Sequence, residues 1–296
     1  MGGSRPWGSR RNWSPRSAPA SARRPSNGCR CRARPSRAAP CPMSRAASEV
    51  ETPERPVTVA IPDLAEPEGS CLFVATPIGN LDDVTLRALG ALRDADIVYA
   101  EDTRRTRGLL SRYGLHARME PYHDHNKERQ APRVVERVRQ GERVVVVSDA
   151  GMPAVADPGY LIVQGLRAAG LPWSVAPGAS SVLAALVLSG FPTDRFLFTG
   201  YTPRKPGKLR SFLKEALAER GTVVMLESCH RIRKTLDALV EVAPDRELAI
   251  AREITKVHEE TLRGTAAELL ALMDGPRLKG ELVLLARGRP AGEEGA

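Results

Sequence analysis

A chain of 296 residues is long enough for one large or two ordinary domains. Its formal charge of +9 misleads, because residues 1–48 carry 11 of the 44 Lys and Arg and no Asp or Glu, leaving 33 basic against 35 acidic side chains beyond them. A body so balanced excludes nucleic-acid binding through net field, so any such contact needs a local patch or the tail.

Residues 1–68 read as a disordered tail, since Arg, Pro, Ser and Ala with almost no aliphatics cannot bury enough apolar surface to offset the entropy of ordering. An acid-free, Arg-rich start also suits a transit peptide, but frequent Pro would break its amphipathic helix. An upstream extension before a start at Met43, or an RNA-touching arm, are the other readings. Cys29, Cys31, Cys41, Cys71 and Cys229 form no C-x-x-C pair and predict neither disulfides nor zinc. The longest apolar run, Val182 to Leu188, is too short to span a bilayer, and a cytoplasmic protein is expected.

From residue 70, short β-branched runs alternate with helical patterns, the signature of an α/β protein. Strands are expected at Cys71–Ala75, Asp96–Ala100, Met119–His123, Arg143–Val147 and Trp173–Ala176, with helices ending near Asp94, at Arg107–Tyr113, over 131–140 and over 179–189. After the turn cluster at Gly190-Phe-Pro192, strands are expected at Phe196–Thr199, Thr222–Leu226, Leu248–Ala251, Val257–Thr261 and Glu281–Leu285, with helices over 208–220, 230–241 and 265–273. This predicts a mostly parallel sheet in a first domain (69–191), a mixed sheet in a second (192–288), and a flexible end at 289–296.

Three loops follow expected strands, the position where α/β sheets bind ligands: Thr76-Pro77-Ile-Gly79-Asn80, Ser148 to Gly159, and Pro177-Gly178-Ala-Ser180-Ser181. None carries G-x-G-x-x-G or G-x-x-x-x-G-K-[ST], which argues against dinucleotides and nucleoside triphosphates. Gly and Pro backbone beside a few acids and hydroxyls suits a cationic sulfonium.

Thr76-Pro-Ile-Gly-Asn80, Ala100-Glu-Asp-Thr-Arg104, His123-Asp-His-Asn126, Ser148-Asp-Ala-Gly151 with Pro153 and Asp157-Pro-Gly159, Glu227-Ser228 with His230-Arg231, and Ala251-Arg-Glu253 with Thr255-Lys256 together resemble the tetrapyrrole methylase superfamily, and within it the branch that methylates small-subunit ribosomal RNA. The resemblance covers residues 71–288. It implies a two-domain α/β homodimer that binds S-adenosylmethionine in the interdomain cleft and methylates the ribose 2′-oxygen of a cytidine in the decoding region of 16S rRNA. The implied cofactor walls are Pro77, Asp149, Ala150, Gly151, Val155, Ser180 and Ser181 from the first domain, with Phe198, Leu226, Ala251 and Leu282 from the second.

Methyl transfer to a hydroxyl needs in-line positioning and gains from a general base, and no metal. Glu101, Asp102, Glu227 and Lys256 are the candidates for base or orienting group, with His123 and His125 beside them, although Asp102 equally suits a helix N-cap. His123, His125 and Asn126 read as hydrogen-bonding groups for RNA or a partner subunit. Metal binding there lacks a third ligand at fixed spacing. Arg104 and Arg105, Arg204 and Lys205, and Arg231 are the candidate RNA contacts, though such charge runs equally suit a solvated face. The competing functions are a precorrin-type tetrapyrrole methyltransferase and a non-catalytic S-adenosylmethionine-binding module on the ribosome.

Overall fold

The computed structural model describes residues 58–61 and 67–289. The expected tails over 1–68 and 289–296 lie almost wholly outside the described residues.

Five short strands, β1 (Cys71–Val74), β2 (Ile97–Ala100), β3 (Met119–Pro121), β4 (Val144–Val147) and β5 (Trp173–Ala176), form a parallel sheet in the order β3-β2-β4-β1-β5. Every residue of β1, β2 and β4 is buried. Strands covered on both faces read as continuous apolar runs, which is why the Val run of β4 does not alternate. Phe73, Tyr99, Val144 and Val146 pack on one face against α3 (Lys127–Arg139) and α4 (Tyr160–Ala169) through Val134, Val138, Ile162 and Leu166. Leu72, Val74, Val98 and Val145 meet α1 (Leu86–Asp94) and α2 (Thr103–Arg112) on the other.

Two elements here differ from expectation. The sequence reading assigned nothing to α4, which starts after Pro158-Gly159 and is closed by Gly170 at φ 65°. Helix α3 begins at Lys127 rather than 131 and runs through Pro132, which lies inside it and forgoes the hydrogen bond that a backbone N–H there would have made.

The second sheet is mixed, as expected. Strands β6 (Phe196–Tyr201), β7 (Thr222–Ser228), β8 (Leu248–Arg252), β9 (Glu260–Gly264) and β10 (Glu281–Ala286) lie in the order β6-β7-β10-β8-β9, with only β6 and β7 parallel. Helices α6 (Pro206–Leu217), α7 (Ile232–Val242) and α8 (Ala266–Leu272) cover one face around Leu213, Met225, Leu236 and Leu284. The other face is sealed by α5 (Ser181–Ser189), whose Ala185 and Leu186, with Phe191, pack on Val224, Ala249, Val283 and Leu285. Thus α5 precedes the expected boundary in sequence but serves the second sheet's core. Strand β9 begins at Glu260 instead of Val257. Glu253 and Thr255 adopt positive φ, and the Thr255 N–H donates to Glu259 at 2.5 Å, so this stretch turns and leaves Val257 71% exposed.

Candidate active site

Strands β4, β1 and β5 are neighbours, so the three Gly- and Pro-containing loops that follow them lie side by side at the carboxyl end of the sheet. Thr76 and Gly151 tie the first two together with a pair of backbone hydrogen bonds of 2.9 and 3.0 Å, and the Thr76 hydroxyl donates to the Ser148 carbonyl. The long loop holds a tense conformation. Ala154 and Ala156 both have positive φ, and Asp157 accepts the N–H groups of Ala154 (2.6 Å) and Gly159 (2.9 Å). A Cβ at Gly159 would stand 2.9 Å from the Ala154 nitrogen, so only glycine closes this turn.

These loops form one wall of a cleft of about 640 Å³ whose other wall is the second sheet. That size is within the range of small-molecule sites. Of the expected cofactor residues, Asp149, Ala150, Gly151, Val155, Ser180, Ser181, Phe198, Leu226, Ala251 and Leu282 all line it. Pro77 does not, but its neighbour Ile78 does, and Pro77 itself is buried. Ser180 also caps α5, accepting from the Leu183 N–H.

The four candidate catalytic residues separate. Glu101 lines the cleft, and one Oε accepts the Asp149 N–H at a long 3.4 Å. Burial holds its carboxyl above the usual carboxylate range, reinforced by Asp149, Asp157 and Asp124 and opposed by that hydrogen bond. Asp102 is the N-cap of α2: it accepts the Arg104 N–H and both Nε and Nη2 of the same side chain. Those bonds bring its carboxyl down to about 2, and its side chain does not line the cleft. Glu227 is inaccessible, and four donors saturate it: the hydroxyls of Thr202 and Thr235, the Ser228 N–H at 2.7 Å, and Arg231 at 2.6 Å. Lys256 bridges Glu253 at 2.9 Å and Glu281 at 3.1 Å. Although burial opposes its charge, these carboxylates hold its ammonium above the ordinary lysine value, the reverse of what a base requires.

The candidate RNA contacts also divide. Arg105 lines the cleft 3.5 Å from Asp149. Arg104 lies outside with its side chain 85% exposed beside Asp102, and Arg204 and Lys205 are exposed on the loop after β6. Arg231 is turned inward, donating to Glu227 and to the Thr202 carbonyl. His123 and His125 flank Asp124 with their rings edge-to-face, and Asn126 accepts the His123 N–H and donates to the Pro121 carbonyl. No group of three His, Cys, Asp or Glu suited to a metal occurs among the described residues.

Asp124 and His230, which stand in the motifs that carry the resemblance, also line the cleft, as do Tyr201 and Glu281, which the sequence reading missed. The signal that could have found Tyr201 is Gly200, directly after the expected strand Phe196–Thr199, since a glycine at such a place marks a bulge.

A profile of the tetrapyrrole (corrin/porphyrin) methylases matches residues 70–270. The chain belongs to that family. Among curated members it is 41% identical to the ribosomal RNA small subunit methyltransferase I of Halalkalibacterium halodurans, over 75% of this chain and 76% of that one. The protein of that name from Thermotoga maritima is 38% identical over 75% of this chain and 99% of its own, and that from Escherichia coli O157:H7 is 40% identical over 77% and 80%. Among solved structures, a cobalt precorrin-4 methyltransferase aligns with TM-score 0.57 at 20% identity, over 74% of this chain and 95% of that one. A uroporphyrin-III C-methyltransferase from Thermus thermophilus, complexed with S-adenosyl homocysteine, aligns at 0.51 and 20%, over 74% and 96%. These methylases supply the fold expected from the sequence, and the chain is a methyltransferase.

Proposed function

We propose that this chain methylates small-subunit ribosomal RNA, at the 2′-oxygen of a cytidine in the decoding region of 16S rRNA. The observation that carries it is the identity of about 40% to ribosomal RNA small subunit methyltransferases I along three quarters of the chain. The methyl donor is S-adenosylmethionine. Its fit rests on the donor set: carboxylates from both walls favour a sulfonium and an ammonium, and Val155, Leu226, Ala251 and Leu282 offer apolar surface. When bound, the donor supplies an electrophilic methyl and leaves as a neutral thioether.

Glu101 is the general base. Its carboxylate takes the proton of the ribose hydroxyl as oxygen bonds to the methyl, and its raised proton affinity suits that transfer. Asp157 and the Thr76–Gly151 bridge hold the donor loop, while Glu227 anchors the opposite wall. A tetrapyrrole acceptor is disfavoured here, because precorrin-type macrocycles are polycarboxylates and the cleft is lined with carboxylates.

A second copy of the chain is the proposed partner. The segment from β5 through α5 to β6 exposes Trp173, Val175, Leu183, Val187, Phe196 and Leu197, a concentration of large apolar side chains suited to an interface. No helix among the described residues is long and apolar enough to cross a membrane, and cytoplasmic action on the ribosome is the matching location.

The test is transfer of radiolabelled methyl to small subunits from cells lacking the enzyme, followed by nucleoside digestion. Label in 2′-O-methylcytidine is expected. Label on a base, or none on RNA, ends this reading, and sedimentation of the same preparation as a monomer ends the dimer.

A further inference from the structure

The carboxylates of Glu101, Asp124, Asp149, Asp157 and Glu281 line the cleft, Glu281 paired with Lys256, whereas that of Glu227 is sealed within its wall. The only Lys or Arg among the lining residues is Arg105, itself beside Asp149. Every nucleotide of an RNA strand brings a phosphate charge, so the backbone is repelled from this interior. A neutral ribose and base are not.

Tyr201 is the only Tyr or Trp lining the cleft, and it is 62% exposed. Its direction is set by the backbone. The ladder between β6 and β7 runs regularly from Phe196 to Phe198, then slips before Tyr201, with Gly200 between them at φ 70°. A bulge with glycine in the left-handed region re-aims the side chain beside it, and bulges in parallel pairs are rare. Immediately downstream, Arg204, Lys205 and Lys208 are exposed and have no ion pair with any described residue.

The geometry points to Tyr201 as the platform on which the base of a single extruded acceptor nucleotide stacks, with the neighbouring phosphates left outside on Arg204 and Lys205. This rests on the RNA-methylating reading above and makes Tyr201 a positioning residue. Stacking on an aromatic ring is tolerant of the hydroxyl and depends on the ring.

The test measures methylation of small subunits by wild type, Tyr201→Phe and Tyr201→Ala, with calorimetric binding of S-adenosylhomocysteine to each. Tyr201→Ala raises KM for the subunit about tenfold or more, Tyr201→Phe stays near wild type, and all three bind S-adenosylhomocysteine alike. Equal damage in both variants, or an unchanged KM in Tyr201→Ala, overturns the platform. If wild type places no label on RNA, the functional reading fails by itself. The platform is then decided by titrating cytidine into the protein saturated with S-adenosylhomocysteine: movement of the Tyr201 ring resonances, identified by their absence in Tyr201→Phe, upholds it, and their constancy overturns it.

Discussion

Each wall of the cleft carries a glutamate at the end of a strand, and the two are opposites. Glu101, after β2, has a single long hydrogen bond and an elevated proton affinity. Glu227, in β7, is sealed from solvent and bonded by four donors. An under-bonded carboxylate facing a cleft is free to exchange a proton. A saturated one is free only to hold its neighbours in place. The difference supports the proposal that chemistry belongs to the first wall and architecture to the second.

The sharpest way to break that comparison is Glu101→Gln. It removes the proposed base while keeping the shape, and kcat is expected to fall by ~10²–10⁴-fold with S-adenosylhomocysteine binding unchanged. In the wild type, activity declines as pH falls through the raised Glu101 value. Stability runs the other way. A raised carboxyl binds its proton more tightly folded than unfolded, so its contribution is present at low pH and lost as pH rises through the raised value. Glu101→Gln escapes that loss and unfolds later than wild type at neutral pH. A variant equally active, or less stable, at neutral pH would make Glu101 another scaffold residue.

Glu227→Ala tests the other wall. It strands two hydroxyls, an N–H and the Arg231 guanidinium in a buried site, and breaking such a network by removing one partner costs ~3–5 kcal/mol. Chemical denaturation measures it. Loss of kcat with an unchanged denaturation midpoint would move Glu227 into the chemistry.

How much of this contrast could be read beforehand is instructive. Gly, Pro and the Val run announced the strand-end loops, because turn conformation and two-sided burial impose local residue choices. Glu101 and Glu227 looked alike in the sequence, since saturation of Glu227 needs Thr202 and Thr235, which meet it only once β7, α7 and the loop after β6 are packed. Asp102 was balanced between base and cap, and the bonds from Arg104 make it the cap of α2. Tyr201, at the end of β6, was not legible as a site residue for a related reason, because its place in the cleft depends on how the two sheets face each other. Helix α4 escaped because Gly165 interrupts a short apolar run, and that glycine is there to let the helix approach Val135, 2.9 Å from where its Cβ would be.

A smaller effect is expected from Lys256→Met. Its ion pairs with Glu253 and Glu281 are partly exposed, and such pairs contribute under ~1 kcal/mol. Turnover stays within a few-fold of wild type because the ammonium is held protonated. A loss of turnover comparable to Glu101→Gln would place Lys256 at the reacting atoms and give the second wall a share of the chemistry.

The smallest effect separates strain from stability on the first wall. Ala154 holds φ 69°, a conformation costing an L-residue ~1–2 kcal/mol, while its N–H is fixed by Asp157. Glycine there removes the strain but gives the unfolded chain more freedom, worth ~0.5–1 kcal/mol in the opposite sense. The two nearly cancel, so Ala154→Gly shifts stability by less than ~1 kcal/mol, toward the folded state. Donor affinity moves the other way. A glycine lets the loop leave the shape that Asp157 imposes, so S-adenosylhomocysteine binds more weakly by calorimetry although the fold is no less stable. If affinity rose together with stability, the strained loop would be a burden the fold tolerates rather than a shape the donor site uses.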